Sequence, residues 1–327
     1  MILVRITFIF LSIITSAIAL AEPVTIRGSV QGASGLKIEL IVYSDFITNT
    51  EMPLAETNIG QAGMFEIRAD LKTTTIAILK IGIQKGEIIL EPGKTYNLKI
   101  SGLLDRSLRN KEIAPFQIPA LQIEIVSPWR FELNSLVNDF YIFHDGFMAE
   151  HAHTILRQRD GRLVQQYVTE IYNRFPGINN AWFNDLLRFN IASLELMARA
   201  KGRDAIADTY LLNQEILYSH MAYMDFFNDY FAKYLTASRL FDRNQLLKAF
   251  ESPDAYKSMM NVLDKDKLLH DRQLRELVLL KNIPDLLANP GYSKHSILSL
   301  LETIRTKSAY PEHRLIAGNL AVLLSRN

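Results

Sequence analysis

One change of hydrophobic period constrains this chain more than any other feature. From Val24 to about Gly102 apolar residues recur every second position or form short runs; from Phe131 onward they follow helical spacing. A period of two sends alternate side chains to opposite faces of a strand, whereas helical spacing gathers them on one face of a helix. The sequence therefore predicts an α+β chain: a small N-terminal all-β sandwich over 22–102, a connector over 103–130, and a larger irregular all-α helical domain over 131–327.

Within the first part the runs are VTIRGSV, LKIELIVY, MFEIRA, TIAILKIGI, EIILE and TYNLKI. Gly32-Ala33-Ser34-Gly35, Gln61-Ala62-Gly63 and Glu91-Pro92-Gly93-Lys94 separate them. That spacing predicts about seven strands. So short a sandwich buries little on its own and is expected to pack against the rest of the chain. In the connector, Pro115, Pro119 and Pro128 enclose LQIEIV, expected to add an edge strand.

Helices are expected at 131–157, 160–174, 178–201, 204–217, 220–238, 243–250, 253–263, 271–287, 293–307 and 310–325. Asp160, Asp204 and Ser252 stand where N-caps are wanted, with Pro253 at a first helical position. Pro176-Gly177 and Pro290-Gly291 punctuate helix ends. Lengths vary and no fixed repeat emerges, which argues against a regular solenoid. The stretch DRQLRELVLLKNIPDLL (271–287) anchors the set. Leu277, Val278, Leu279 and Leu280 make it apolar nearly all round, the mark of a helix held between layers. Pro284 is expected to kink or end it, and the last helix to fold back onto it.

At 327 residues, 48% hydrophobic and 22% charged, the chain has the composition of a globular protein with room for two domains. It contains no cysteine, so disulfides, thiolate nucleophiles, cysteine zinc sites and iron–sulfur clusters are excluded within it. At its start, Arg5 precedes an apolar run from Ile6 to Ile14. Ala17-Ile18-Ala19 and Ala19-Leu20-Ala21 then fit an A-x-A cleavage pattern. This reads as a secretory signal peptide over 1–21, cut after Ala21, rather than a membrane anchor, and no cysteine stands after it to make a lipoprotein. Loss of Arg5 from 36 basic residues leaves a balance with the 35 acidic ones. A neutral chain gives no electrostatic reason to expect nucleic acid as partner, and no further transmembrane segment is read.

Three constellations have a chemical reading. His144 and His151 lie two turns apart and are the candidate metal ligands, beside Asp145, Glu150 and His153. Helical zinc pairs are usually i, i+4, and Gly146 invites a break, so a solvated helix face is the plainer reading. Asp264, Asp266 and Asp271 loosely suggest calcium but lack the central glycine of an EF-hand loop. Tyr223, Phe227, Tyr230 and Tyr234 form one helical stripe beside Phe226, a candidate ligand or partner surface, although core packing is the plainer reading of such a stripe. No G-x-S-x-G elbow, Walker loop or G-x-G-x-x-G occurs, so no catalytic residue and no cofactor is expected.

Several stretches resemble one family. Gly28-Ser-Val, Gly63-Met-Phe-Glu-Ile and Leu90-Glu-Pro-Gly-Lys are similar to the small β-domain that opens thioredoxin-like proteins of the TlpA type in Bacteroidetes. YSHMAYMDFFNDYFAKYL (218–235), the 271–287 stretch, ILSLLETI (297–304) and PEHRLIAGNLAVLL (311–324) resemble the helical region those proteins carry next. In them a segment like Glu312-His313-Arg314-Leu315-Ile316-Ala317 leads into a thioredoxin fold with a Cys-x-x-Cys pair. Here the sequence reaches Asn327 without a cysteine, so none of the family's catalytic residues is carried over. The resemblance implies a periplasmic, non-catalytic binding or scaffold protein, with a separate thioredoxin-type or other envelope protein as candidate partner. The alternatives are a Cys-free hydrolase or small-ligand enzyme using a helical groove, and a truncated remnant of an oxidoreductase.

Overall fold

The computed structural model describes residues 22–104, 118–159, 161–237, 240–289 and 291–326. The signal-peptide reading, Pro115, Pro290 and the capping role expected of Asp160 fall outside these residues.

Two four-stranded sheets form the N-terminal unit. One has the order β4 (Met64–Leu71), β1 (Glu22–Val30), β7 (Thr95–Ser101), β8 (Gln122–Ile125). The other runs β3 (Glu51–Asn58), β2 (Lys37–Tyr43), β5 (Thr75–Ile81), β6 (Gln84–Leu90). Alternate residues meet between them in one core, including Val24, Ile26, Leu40, Ile67, Leu79 and Leu98. Seven strands lie within 22–101 and the LQIEIV run adds β8 on the edge, as the alternation requires.

Strand β3 is the one that the hydrophobic pattern does not reveal. Its sequence EMPLAETN is polar and mostly exposed, and Pro53 sits opposite Ile41 beside a register shift. An outer strand tolerates a missing N–H and needs no buried face. The run TIAILKIGI is also divided differently: the chain reverses at Gly82, whose φ is 60°, giving the hairpin β5–β6.

Strand β5 and the Ile88–Leu90 end of β6 are apolar without alternation because both of their faces are covered. Ala77, Leu79, Ile88 and Leu90 enter the sandwich core, while Ile76 and Ile89 join the core of the helices. Gly86 is needed for a different reason: a Cβ there would stand 2.8 Å from the Leu121 carbonyl of the crossing connector. Gln84 secures both ends of that connector, donating to the Gly102 and Pro119 carbonyls at 2.9 and 3.0 Å and accepting from the Leu104 N–H at 2.6 Å.

The helical unit comprises α1 (Leu133–Gln158), α2 (Gly161–Arg174), α3 (Ala181–Ala198), α4 (Arg203–Tyr210), α5 (Met221–Tyr230), α6 (Tyr234–Ala237), α7 (Arg243–Phe250), α8 (Ala255–Leu263), α9 (Arg272–Leu287), α10 (Lys294–Lys307) and α11 (Pro311–Arg326). None among the described residues is long and apolar enough to cross a membrane. As expected, Leu277, Val278, Leu279 and Leu280 of α9 are fully buried, and α11 packs on both α9 and α10. Helix α9 runs through Pro284 and ends at Leu287. Gly177 and Gly291 take positive φ after helix ends, as their placement implies.

Four helical expectations are corrected. The expected 204–217 helix stops at Tyr210. The expected 220–238 helix breaks into α5 and α6, with Lys233 in the left-handed region at φ 52°. Helix α9 supplies the bonds that the broken segment lacks: Asn282 Nδ2 donates to the Phe231 carbonyl, Asn282 Oδ1 accepts from the Leu235 N–H, and Asp285 accepts from the Lys233 N–H. Asp204 is not an N-cap; Gly202 holds that position, and Asp204 lies in the first turn. Ser252 and Pro253 precede the true cap of α8, Asp254, which accepts from the Lys257 N–H at 3.0 Å.

Candidate functional site

The break between α5 and α6 opens a cleft of about 740 Å³. Tyr230 ends α5 and Tyr234 begins α6, so the three intervening residues leave the two rings at one wall. The start of α4 contributes Arg203 and Asp204, and the 3-10 turn at Lys267–Leu269 contributes Lys267 and Leu268, with Lys265 and Asp266 just before it. Lys233, left-handed, sits on the rim.

Arg203 and Tyr230 clamp each other. The guanidinium donates to the Tyr230 carbonyl and lies 4.3 Å from the ring centroid, while the Tyr230 hydroxyl donates to the Arg203 carbonyl at 3.0 Å. Burial pushes the Tyr230 hydroxyl up to about 12 in spite of the nearby cation. Tyr234 donates to Asp266 Oδ2 at 2.6 Å, and burial, then this bond, raise its hydroxyl as well. Both phenols are therefore protonated and committed, which leaves neither as a base. Among the described residues the cleft holds four cationic side chains against two carboxylates. Both carboxylates are engaged, Asp204 with Lys267 at 2.7 Å and Asp266 with Tyr234 and the Leu268 N–H, and so are Arg203, with the Tyr230 carbonyl, and Lys265, with Gln245 Oε1 at 3.3 Å. The described lining of the cleft is therefore net positive, with two buried phenol rings at its wall.

The structure divides the aromatic stripe. Tyr230 and Tyr234 border the cleft although they are only 0% and 8% exposed, whereas Tyr223 and Phe227, 1% and 0% exposed, pack within the core. Tyr223 meets Phe189 edge-on at 4.9 Å, and Phe227 packs against Phe231 with ring centroids also 4.9 Å apart. The cations are not visible in the sequence as a set, because most of them come from other segments of the chain.

His144 and His151 also separate. Helix α1 runs unbroken through Gly146, which places them about 10 Å apart along its axis. His144 Nδ1 lies 2.5 Å from the buried Tyr167 hydroxyl, and burial lowers its proton affinity. His151 packs its ring on Phe147 at 4.5 Å. No group of three or more His, Asp or Glu among the described residues is placed to hold a metal ion. The three aspartates suggestive of calcium do other work. Asp271 caps α9, Asp266 caps the 3-10 turn, and Asp264 pairs with Arg275 at 2.9 Å.

The arrangement most like catalytic machinery is one that the sequence does not disclose. Glu276, in the middle of α9, is fully buried and accepts from His313 Nδ1 at 2.8 Å, from the Ser308 hydroxyl and from the Tyr256 hydroxyl. His313 Nε2 faces the Tyr218 hydroxyl at 2.6 Å, and Gln273 donates to that oxygen at 3.1 Å. With Gln273 donating to its oxygen, Tyr218 is left to donate to Nε2, and Nδ1–H to donate to the carboxylate. Burial pushes Glu276 up, but its three donors outweigh burial and hold the carboxyl below its ordinary value. The order carboxylate–imidazole–hydroxyl has the form of a nucleophile relay. Tyr218, however, is raised by burial and so is a poor nucleophile, and neither it nor His313 lines the cleft. The relay ties α8, α9 and the start of α11 together.

No family model matches the chain, and no curated protein matches it.

Proposed function

We propose that this chain is an exported, non-catalytic binding protein whose α5–α6 cleft holds an anionic group carried on an aromatic or apolar body. The observation that carries the reading is the charge of the cleft lining: Arg203, Lys233, Lys265 and Lys267 outnumber Asp204 and Asp266, so two positive charges remain in excess after Lys267 pairs with Asp204. Arg5, the Ile6–Ile14 run and the small residues up to Ala21 support export, and the resemblance to TlpA-type proteins supports the periplasm as destination.

The probe that tests it is 1-anilinonaphthalene-8-sulfonate, an anionic aromatic fluorophore. Binding should be saturable and weaken with salt, and Lys233→Glu with Lys265→Glu should weaken it about ten-fold or more, since each reversal replaces an attraction by a repulsion. Equal affinity in the reversed protein, with no salt dependence, overturns the reading.

A second reading, a scaffold that docks a protein, is favoured by α11. Its inward residues Ile316, Ala317 and Leu320 are buried, yet Leu315, Val322 and Leu323 are 45%, 51% and 38% exposed. The family resemblance supplies the kind of partner, a thioredoxin-type protein bearing its own Cys-x-x-Cys pair. Affinity purification from the native envelope followed by mass spectrometry tests it; recovery of no such protein removes this reading.

A further inference from the structure

A second cavity, about 400 Å³ in volume, lies where the sandwich meets the helices. Ile76, Ile89 and Ile123 bound it on the strand side, and Val137 and Leu186 on the helical side. Its size and its position between two structural units are those of a small-molecule site. Walls this apolar bind through burial, which rewards an alkyl chain.

The alternation of β6 sets one charge at the mouth of this cavity. Lys85, Glu87 and Ile89 share the strand face that is turned away from the sandwich core. Ile89, the innermost of the three, joins the core of the helices, and Asn134 of α1 takes both its N–H and its carbonyl, at 2.7 and 2.9 Å. Lys85, the outermost, pairs with Glu51. Glu87 stands between them, exposed and lining the cavity, and among the described residues no cation or hydrogen-bond donor reaches its carboxylate. An exposed carboxylate is satisfied by water and needs no partner. This one differs in that apolar walls begin directly beside it.

The remaining lining agrees in sign. No Lys, Arg or His among the described residues lines the cavity. Burial, then the carboxylates of Asp225, Asp145 and Glu87, push the Tyr141 hydroxyl up to about 12. The same three carboxylates make the potential at this wall negative. Tyr141 and Trp182 add aromatic surface, which attracts cations and tolerates alkyl chains. Trp182 is fixed by His220, with ring centroids 4.6 Å apart. An anion would meet repulsion here with nothing to offset it, and an uncharged apolar molecule would gain burial alone.

We infer that the junction cavity binds an organic monocation with an alkyl body. The alkyl chain lies among Ile76, Ile89, Ile123, Val137 and Leu186, and the ammonium group stays in water at the mouth, beside Glu87. Keeping the charge at the rim avoids the cost of burying it. The site is separate from the α5–α6 cleft and takes the opposite charge.

The test is calorimetric titration of the purified protein at pH 7 with n-alkylammonium ions from butyl to decyl. One ion should bind per chain, about four-fold more tightly for each added methylene until the cavity is full. Octanoate should bind more weakly than octylammonium. Glu87→Gln changes an exposed side chain and should weaken octylammonium about three- to five-fold, the worth of one exposed ion pair. It should leave 1-octanol, which has no charge, unaffected, a split that damage to the walls would not produce. Asn138 is the other exposed residue of the lining, so Asn138→Lys tolerates folding and brings a competing ammonium to the mouth. It should weaken octylammonium as well. Absence of saturable octylammonium binding overturns the inference. So does an octylammonium affinity that Glu87→Gln leaves unchanged, or a loss that 1-octanol shares equally.

Discussion

Asn319 Nδ2 in the last helix donates to Asp45 Oδ2 at 2.7 Å, joining positions 274 residues apart. Asp45 sits in the β2–β3 loop and also accepts from the Ile47 N–H, the Thr48 N–H and the Thr48 hydroxyl, so its buried carboxylate is well supplied with donors. Two other helices use the same device. Asn134 of α1 takes both polar groups of Ile89 on the outer strand β6, and Asn228 of α5 donates to the Phe46 carbonyl at 2.9 Å. A side-chain amide offers donor and acceptor without charge, which suits a half-buried seam between two units. Asn319→Ala should cost about 1–2 kcal/mol, one hydrogen bond to a charged group. Urea denaturation measures it, and amide exchange in the 44–50 loop should accelerate; no change in either shows that α11 is not pinned there.

Glu276 makes a larger prediction. Glutamine cannot accept from Ser308, Tyr256 and His313 at once, because its NH2 turns toward one donor. Glu276→Gln should therefore cost about 2–3 kcal/mol at pH 7. The pH dependence has a definite sign. The folded carboxyl lies below its unfolded value, so on acidification the unfolded chain takes up the proton first. Its contribution is present above the unfolded carboxylate pKa and is lost as pH falls through the folded one. Urea midpoints from pH 7 downward should fall more steeply for the parent than for the glutamine variant.

These two relationships show where sequence reading reaches its end. Leu277 to Leu280 announce a buried helix locally, and the structure buries them fully. Tyr230 and Tyr234 could be placed on one stripe, which captures the aromatic wall of the cleft. The break that sets them at the cleft is not legible in the sequence, because Asn282 and Asp285 support it from some fifty residues further along, and Lys233 takes a left-handed φ without being glycine. His313 and Glu276 are likewise 37 residues apart. Strand β3 was invisible because an exposed outer strand needs no hydrophobic alternation.

His144 and His220 should both titrate below the ordinary histidine range. Burial is the main cause in each, opposed at His144 by Asp145 and at His220 by its bond to Trp182 and by Asp185. A lowered folded value means that the unfolded chain protonates first as pH drops. Stability therefore declines as pH falls through the unfolded histidine pKa, about 6.5, and the decline is complete once the folded value is passed. NMR titration of the assigned ring Cε1–H signals measures both midpoints directly. A midpoint at or above the free value for His220 would mean that its ring is solvated, against its packing on Trp182.

Two leucines distinguish residues that hold the fold from residues that face outward. Leu279 is fully buried in α9, which is surrounded by α6, α8, α10 and α11. With rigid neighbours on several sides, the space left by Leu279→Ala cannot collapse, and the expected loss lies in the upper part of the large-to-small range, about 3–5 kcal/mol. Leu315 has the same side chain on α11 but is 45% exposed. Leu315→Ala should change stability by less than about 0.5 kcal/mol, as surface substitutions do. Chemical denaturation of both variants gives the comparison. If Leu315→Ala keeps full stability while reducing capture of an envelope protein, the exposed face of α11 serves recognition. If it instead destabilises the chain as Leu279→Ala does, Leu315 is part of the packing and the docking reading of α11 fails.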